Sequence, residues 1–246
     1  MLLRRITEHV KAQNWFAVGL DFLIVVVGVF VGLQVSNWNA AREGREQEQD
    51  YLMRLSEEVA AIIIEQESDR AEIVARAGSL KEVAAYLGAF GKQEAGMPEP
   101  ISSQCTAVIG SHIYAGDITL PPTISELIST GRILLISNQS LRLQIVRFAQ
   151  AIDEYTQLRH DIQVDRLVLS RKYPELIRLS PAGREQSSCD FSQMAQSQTF
   201  TNDFLDNVPR YDAYAEEVMQ GQHELRLKLK AALDQELALL QKDATQ

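Results

Sequence analysis

The chain has 246 residues, 46% hydrophobic and 23% charged, with two cysteines, thirteen glycines and seven prolines. That composition is globular and excludes collagen-like, disulfide-scaffold and disordered classes; the length allows one ordinary domain with an appendage, or two small domains. Its formal charge of -9 excludes a sequence-independent grip on phosphate backbones, so nucleic acid is not an expected partner.

From Ala12 to Ala41 the only formal charge is Asp21, and Phe22 to Ala41 is uncharged throughout. At about 1.5 Å per residue, roughly twenty residues cover the ~30 Å hydrocarbon layer as a helix. Trp15 and Trp38 bracket the stretch, as indoles do at the two headgroup levels. The pattern predicts a leader over 1–15, a transmembrane helix over 16–41 and a helical domain over 42–246. A cleavable export signal is the rival reading, since a basic start before an apolar run fits both. Against it, the run is long for a signal, and Gln34 to Asn39 offers no small-x-small cleavage pair.

Arg4, Arg5 and Lys11 precede the span; Arg42, Arg45 and Arg54 follow it, diluted by Glu43, Glu46, Glu48 and Asp50. The basic counts balance, and the short leader decides: the amino terminus is expected in the cytoplasm. The larger part then lies outside, in the periplasm of a Gram-negative cell, anchored in the inner membrane. It keeps 24 minus 3 basic and 33 minus 2 acidic residues, a net charge of -10.

Gly28-Val29-Phe30-Val31-Gly32 is a small-xxx-small motif, which permits close helix approach in lipid. At about 100° per residue, Asp21, Val25, Gly28, Gly32, Val35, Ser36 and Asn39 share one stripe. The stripe predicts self-association through the span; the bland alternative is the ordinary abundance of glycine in membrane helices. Asp21 has two readings as well. It marks the interface and caps the helix beginning at Phe22, or it sits within the leaflet and needs a partner from a second chain.

Beyond Ala41, Leu52, Leu55, Val59 and Ile62 recur at helical spacing, with Ala60, Ile63 and Ile64 widening the stripe, and predict a helix over about 46–88. Gln66 and Asp69 stand where a heptad wants apolar residues, so a bundle wall is expected rather than a two-stranded coil. Residues 91–100 are rich in breakers and read as a loop. Cys105, Val108, Ile109 and His112 point to a short helix, whereas Ile118-Thr119-Leu120 reads as extended. Thr123 and Glu126 form a capping-box pattern before a helix over about 124–130, which Gly131 ends. A helix capped by Ser137 runs to about 172, before Pro174. Residues 180–199 read as loop, and a last helix follows Pro209 to about 241. The expected fold is all-α, an extracytoplasmic bundle of three or four long helices behind one membrane span.

Catalytic patterns are missing from the sequence. His9, His112, His160 and His223 are scattered, and neither H-E-x-x-H, Walker A, G-x-G-x-x-G nor G-x-S-x-G occurs. Asp153, Glu154, Asp161 and Asp165 read most simply as a solvated helix face. No enzyme, metal or cofactor is expected. Cys105 and Cys189 pair in an oxidising compartment, or remain two free thiols. Arg132, next to Gly131, is the residue set to contact an anionic ligand, with a surface ion pair as the alternative.

The run Gly28-Val29-Phe30-Val31-Gly32-Leu33-Gln34-Val35-Ser36-Asn37-Trp38-Asn39 resembles the span end of a bacterial family of single-span membrane proteins with a domain of unknown function. Thr123 to Ile133 is similar to that family's Glu-Leu-x-Ser-Thr-Gly-Arg turn. The resemblance implies a membrane anchor and a mostly helical domain, and no catalytic residues to carry over. The leading expectation is an anchored interaction or scaffold module. Its partners are the lipid bilayer, an unidentified membrane or periplasmic protein, or itself as a homodimer through the span. The alternative is a small-molecule-sensing ectodomain that signals laterally through a membrane partner.

Overall fold

The computed structural model describes residues 15–91 and 98–243. Nearly all of the expected leader lies outside them. The chain divides into two units, residues 1–50 and 51–246.

In the first unit the described residues belong to α1, which spans Trp15–Gly91. Its best 18-residue window has a mean hydropathy of 1.7, and none of that window is buried. Among the described residues this is the one helix long and apolar enough to cross a membrane. Gly28 and Gly32 have nothing within 4 Å of where a Cβ would stand. Arg42 and Glu46 form an i,i+4 pair at 3.0 Å.

The second unit is mostly helical. From Tyr51, α1 buries Leu52, Leu55, Val59 and Ile62 as the periodicity predicts, then Ile73, Ala77, Leu80, Val83 and Leu87. After it come α2 (Ser102–Gly110), α3 (Pro122–Ser129), a 3-10 turn (Arg132–Leu135) and α4 (Gln139–Gln163). The short α5 (Leu169–Lys172) precedes the strands β1 (Ile177–Ser180) and β2 (Gly183–Cys189). The chain then forms α6 (Phe191–Gln196), α7 (Gln198–Ala213), a π-helical segment (Tyr214–Gln220) and α8 (Gly221–Asp243).

Two apolar clusters hold the unit together. One gathers Leu52, Leu55 and Val59 with Ile124, Ile145, Phe148 and Leu233, packing α1, α3, α4 and α8. The other gathers Leu80 and Val83 with Val108, Phe200, Phe204, Tyr211 and Tyr214, packing α1, α2, α7 and the π segment. Burial of such side chains, at about 1.5–3 kcal/mol each, is what makes the helices stable.

Several expectations are corrected. Residues 180–199 are not a loop: β1 and β2 pair antiparallel, Ile177 opposite Cys189 and Arg178 opposite Ser188. Most of β2 is exposed and polar, so no apolar alternation announces it. The last helical stretch starts well before Pro209. Ser197 caps α7 by accepting the Phe200 N–H at 3.3 Å, and Pro209 lies inside the helix. Asp190 caps α6 by accepting the Gln193 N–H at 2.9 Å.

The helix expected to reach 172 ends at Gln163, and its cap is Asn138 instead of Ser137: the Asn138 side chain accepts from the Ser140 and Leu141 N–H groups at 3.0 and 3.2 Å. Thr123 does not cap α3, because Pro122 occupies the first helical position, where a missing N–H costs nothing. The Thr123 N–H is instead satisfied by Glu58 of α1 at 3.0 Å.

Candidate functional site

α3 and the 3-10 turn are fastened to α1 by a polar network. Thr123 donates its hydroxyl to Glu58 at 2.7 Å and accepts from Arg54 Nε at 2.8 Å. A second Arg54 nitrogen pairs with Glu126 at 2.5 Å. Tyr51 donates to Glu126 at 2.6 Å and accepts from Arg132, which also stands 3.5 Å from Glu126. The guanidinium of Arg54 lies 5.0 Å from the Tyr51 ring centre, within cation–π range.

Local backbone explains how Arg132 reaches this network. The Thr130 hydroxyl donates to the Glu126 carbonyl at 2.6 Å, closing α3. Gly131 then turns the chain with φ +72°, a conformation other residues adopt at a cost. Glu126 is thereby surrounded by donors. Tyr51 first, then Arg54 and Arg132, hold its carboxyl below the usual 4.5. The site therefore presents a fixed carboxylate between two guanidinium groups and a phenol. Its groups are paired with one another, so the network fastens α3 and the 3-10 turn to α1.

The structure brings Cys105 and Cys189 together as a disulfide with Cα atoms 5.6 Å apart, joining α2 to β2. Gly28 and Gly32 lie on an open helix face in the first unit. Asp21 lies within α1; its side chain is outside the described residues. Among the described residues no group of three His, Cys, Asp or Glu side chains could hold a metal ion.

A second polar arrangement has no local sequence signal. The extended segment after α2 is held by its carbonyl oxygens. Ala115 accepts from the Tyr214 hydroxyl, Gly116 from Arg159 at 2.9 Å and Asp117 from Gln66 at 2.8 Å. Arg226, 2% exposed, reaches the Thr119 carbonyl at 3.5 Å and takes Gln66 Oε1 and Gln222 Oε1 at 2.5 and 2.7 Å. Burial pushes the Arg226 pKa down to about 10. Here lies the reason for Gln66 in the apolar stripe: it joins a buried cation to the strap. A missing heptad residue was the only available clue.

Comparison of the chain with protein-family models, with curated proteins and with solved structures finds no match in any of the three.

Proposed function

We propose that this is a single-pass membrane protein whose helical domain is an interaction or scaffold module, held on the outer face of a bacterial inner membrane with its amino terminus in the cytoplasm. The observation that carries it is the bare apolar surface of α1, where Phe22, Leu23, Ile24, Val25, Phe30 and Val31 are each more than half exposed. Water-facing patches of that extent mark interaction sites or lipid contact. Its length and composition favour lipid.

A Cys105–Cys189 bridge supports the oxidising side of the membrane, because cytosolic thiols stay reduced. Membership of the single-span family rests on the two resembling stretches. The second of them, from Thr123 onward, supplies Glu126, Gly131 and Arg132 of the polar network.

Fractionation without detergent tests the anchor: the intact chain should stay in the membrane pellet, and release into the soluble fraction overturns the proposal. Protease added to spheroplasts should digest residues 42–246. Crosslinking in intact cells should then give a self-adduct that Gly28→Ile and Gly32→Ile abolish, or one reproducible neighbour. Monomer alone under every condition overturns the interaction module.

A sensing ectodomain is favoured by one observation, a groove of about 360 Å³ between α4 and α8 lined by Phe148, Leu225 and Leu229 with Gln144, Arg147 and Lys228. That volume is within the range of small-molecule sites. In this reading Arg132 is an anion contact, sharing its guanidinium with Glu126 and Tyr51. A thermal-shift screen of the full chain in micelles separates the two readings, because a ligand that binds the folded state raises its midpoint.

A further inference from the structure

α4 and α8 pack along one another and are pinned at two levels. At one end Asn138, the cap of α4, donates its side-chain N–H to Glu236 at 2.6 Å. Toward the other, Gly221 lies so close to α4 that a Cβ there would stand 2.8 Å from the Tyr155 hydroxyl. Between these levels Ile145 and Phe148 meet Leu229 and Leu233 in the core, and the groove of about 360 Å³ opens beside them. Its apolar lining stands on two fixed helices, which hold a site more precisely than loops do.

The rim carries charge of one sign. Arg147 comes from α4 and Lys228 from α8, both are exposed, and among the described residues the lining holds no carboxylate. Neither cation makes a side-chain hydrogen bond or ion pair among the described residues. On the same two helices Arg159, Arg226 and Lys230 are engaged, by the Gly116 carbonyl, by Gln66 and by Asp234. Glu224, one turn before Lys228, accepts instead from Gln220 at 3.4 Å. On a chain of net charge -9, two uncompensated cations on opposite walls of an apolar groove are complementary to an anion. Charge and lining together define the ligand: an apolar body that covers Phe148, Leu225 and Leu229, and one anionic group between the cations. A carboxylate fits that group. Its two oxygens match the guanidinium fork and still accept from an ammonium, and its single charge costs less against apolar side chains than the double charge of a phosphate. The volume lies near the lower end of the roughly 300–1,000 Å³ range of ligand sites, so the body is small.

We propose that the α4–α8 groove takes a small organic carboxylate with an alkyl or aryl body, the body against Phe148, Leu225 and Leu229 and the carboxylate between Arg147 and Lys228. The ligand class rests on the sensing reading of the groove. It places the anion on a pair with no protein partner, whereas Arg132 already shares its guanidinium with Glu126 and Tyr51.

The test follows the methyl groups of Leu225 and Leu229 by NMR in the full chain, held in phosphatidylcholine nanodiscs because detergent monomers would compete for an apolar groove. Hexanoate should move both resonances saturably, and affinity should rise from butyrate to octanoate by up to about fourfold per methylene. Arg147→Gln or Lys228→Gln should weaken hexanoate about tenfold each, as loss of a charge-assisted hydrogen bond implies, and leave hexanol unaffected. Arg142→Gln, an unpaired arginine of α4 outside the groove lining, should change nothing. The proposal is overturned, with the sensing reading left standing, if hexanol, hexylammonium or hexyl phosphate binds as tightly as hexanoate. It is overturned in the same way if the two variants, folded by circular dichroism, bind hexanoate as the parent does. Methyl groups that answer none of the probes overturn it too, and the sensing reading falls with it only when the thermal-shift screen is also empty.

Discussion

The Arg226 guanidinium meets the side-chain oxygen of Gln66 at 2.5 Å, a buried cation received by a neutral amide. Removing the amide strips the charge of an acceptor it cannot replace from water. Gln66→Leu should therefore cost about 1.5–3 kcal/mol, the worth of a hydrogen bond to a charged group. Adding Arg226→Met to it should cost less than the two single losses together, since the stranded charge is gone. Urea unfolding of the full chain in micelles, followed by circular dichroism, measures both; strict additivity would show that the pair is not coupled.

Glu126 makes stability depend on acid. Its folded pKa is lowered, so its contribution is fully present above the unfolded value near 4.5 and is lost as pH falls through the folded one. Asp234, lowered by Lys230 and Ser56, acts in the same direction from 3.8 downward. His112 adds an earlier step. Its depressed folded pKa means that the unfolded chain binds the extra proton first, so stability declines as pH drops below 6.5. Thermal midpoints between pH 7 and 3 should fall in two stages. Glu126→Gln should flatten the second and leave the first.

Cys105 and Cys189 are 84 positions apart, and the chain-entropy model assigns about 4.5 kcal/mol at most to closing so long a loop. Cys105→Ala with Cys189→Ala should lower the denaturation midpoint accordingly, and reductant should do the same to the parent alone. Mass spectrometry under non-reducing conditions should show a mass two hydrogens below that of the reduced chain.

Gly116 has φ +95°, and a Cβ there would stand 2.9 Å from the Met219 methyl. Gly116→Ala is strained in its backbone and crowded in its side chain. A loss of about 1–3 kcal/mol is expected, measured by the same urea titration. Gly131→Ala, with φ +72° but open space around it, should cost about 1–2 kcal/mol from the backbone alone.

Elements that repeat locally were legible in the sequence. Leu52, Leu55, Val59 and Ile62 on α1, and Leu141, Ile145, Phe148 and Ile152 on α4, are buried where helical spacing put them. Gly131 ends its helix as read. What escaped depends on distant partners. β2 is exposed and polar, and its place is set by β1, α2 and a covalent bridge. Pro209 resembled a helix start, although the true starts lay in the caps of Asp190 and Ser197 inside a polar run. Arg226 sat unnoticed on the last helix because, Gln222 apart, its partners Gln66 and Thr119 are more than a hundred residues away. At the polar network, Thr123, Glu126 and Arg132 stood out from the sequence, but Tyr51 and Glu58 carried no pattern and Arg54 counted only as a positive charge after the span.

The Cys105–Cys189 bridge makes a covalent ring of the chain between them, and α3, α4 and α5 all lie on that ring. A single cut by a protease anywhere inside it severs the backbone without releasing a fragment. The nicked molecule would keep its full mass apart from one added water until a reductant opened the ring.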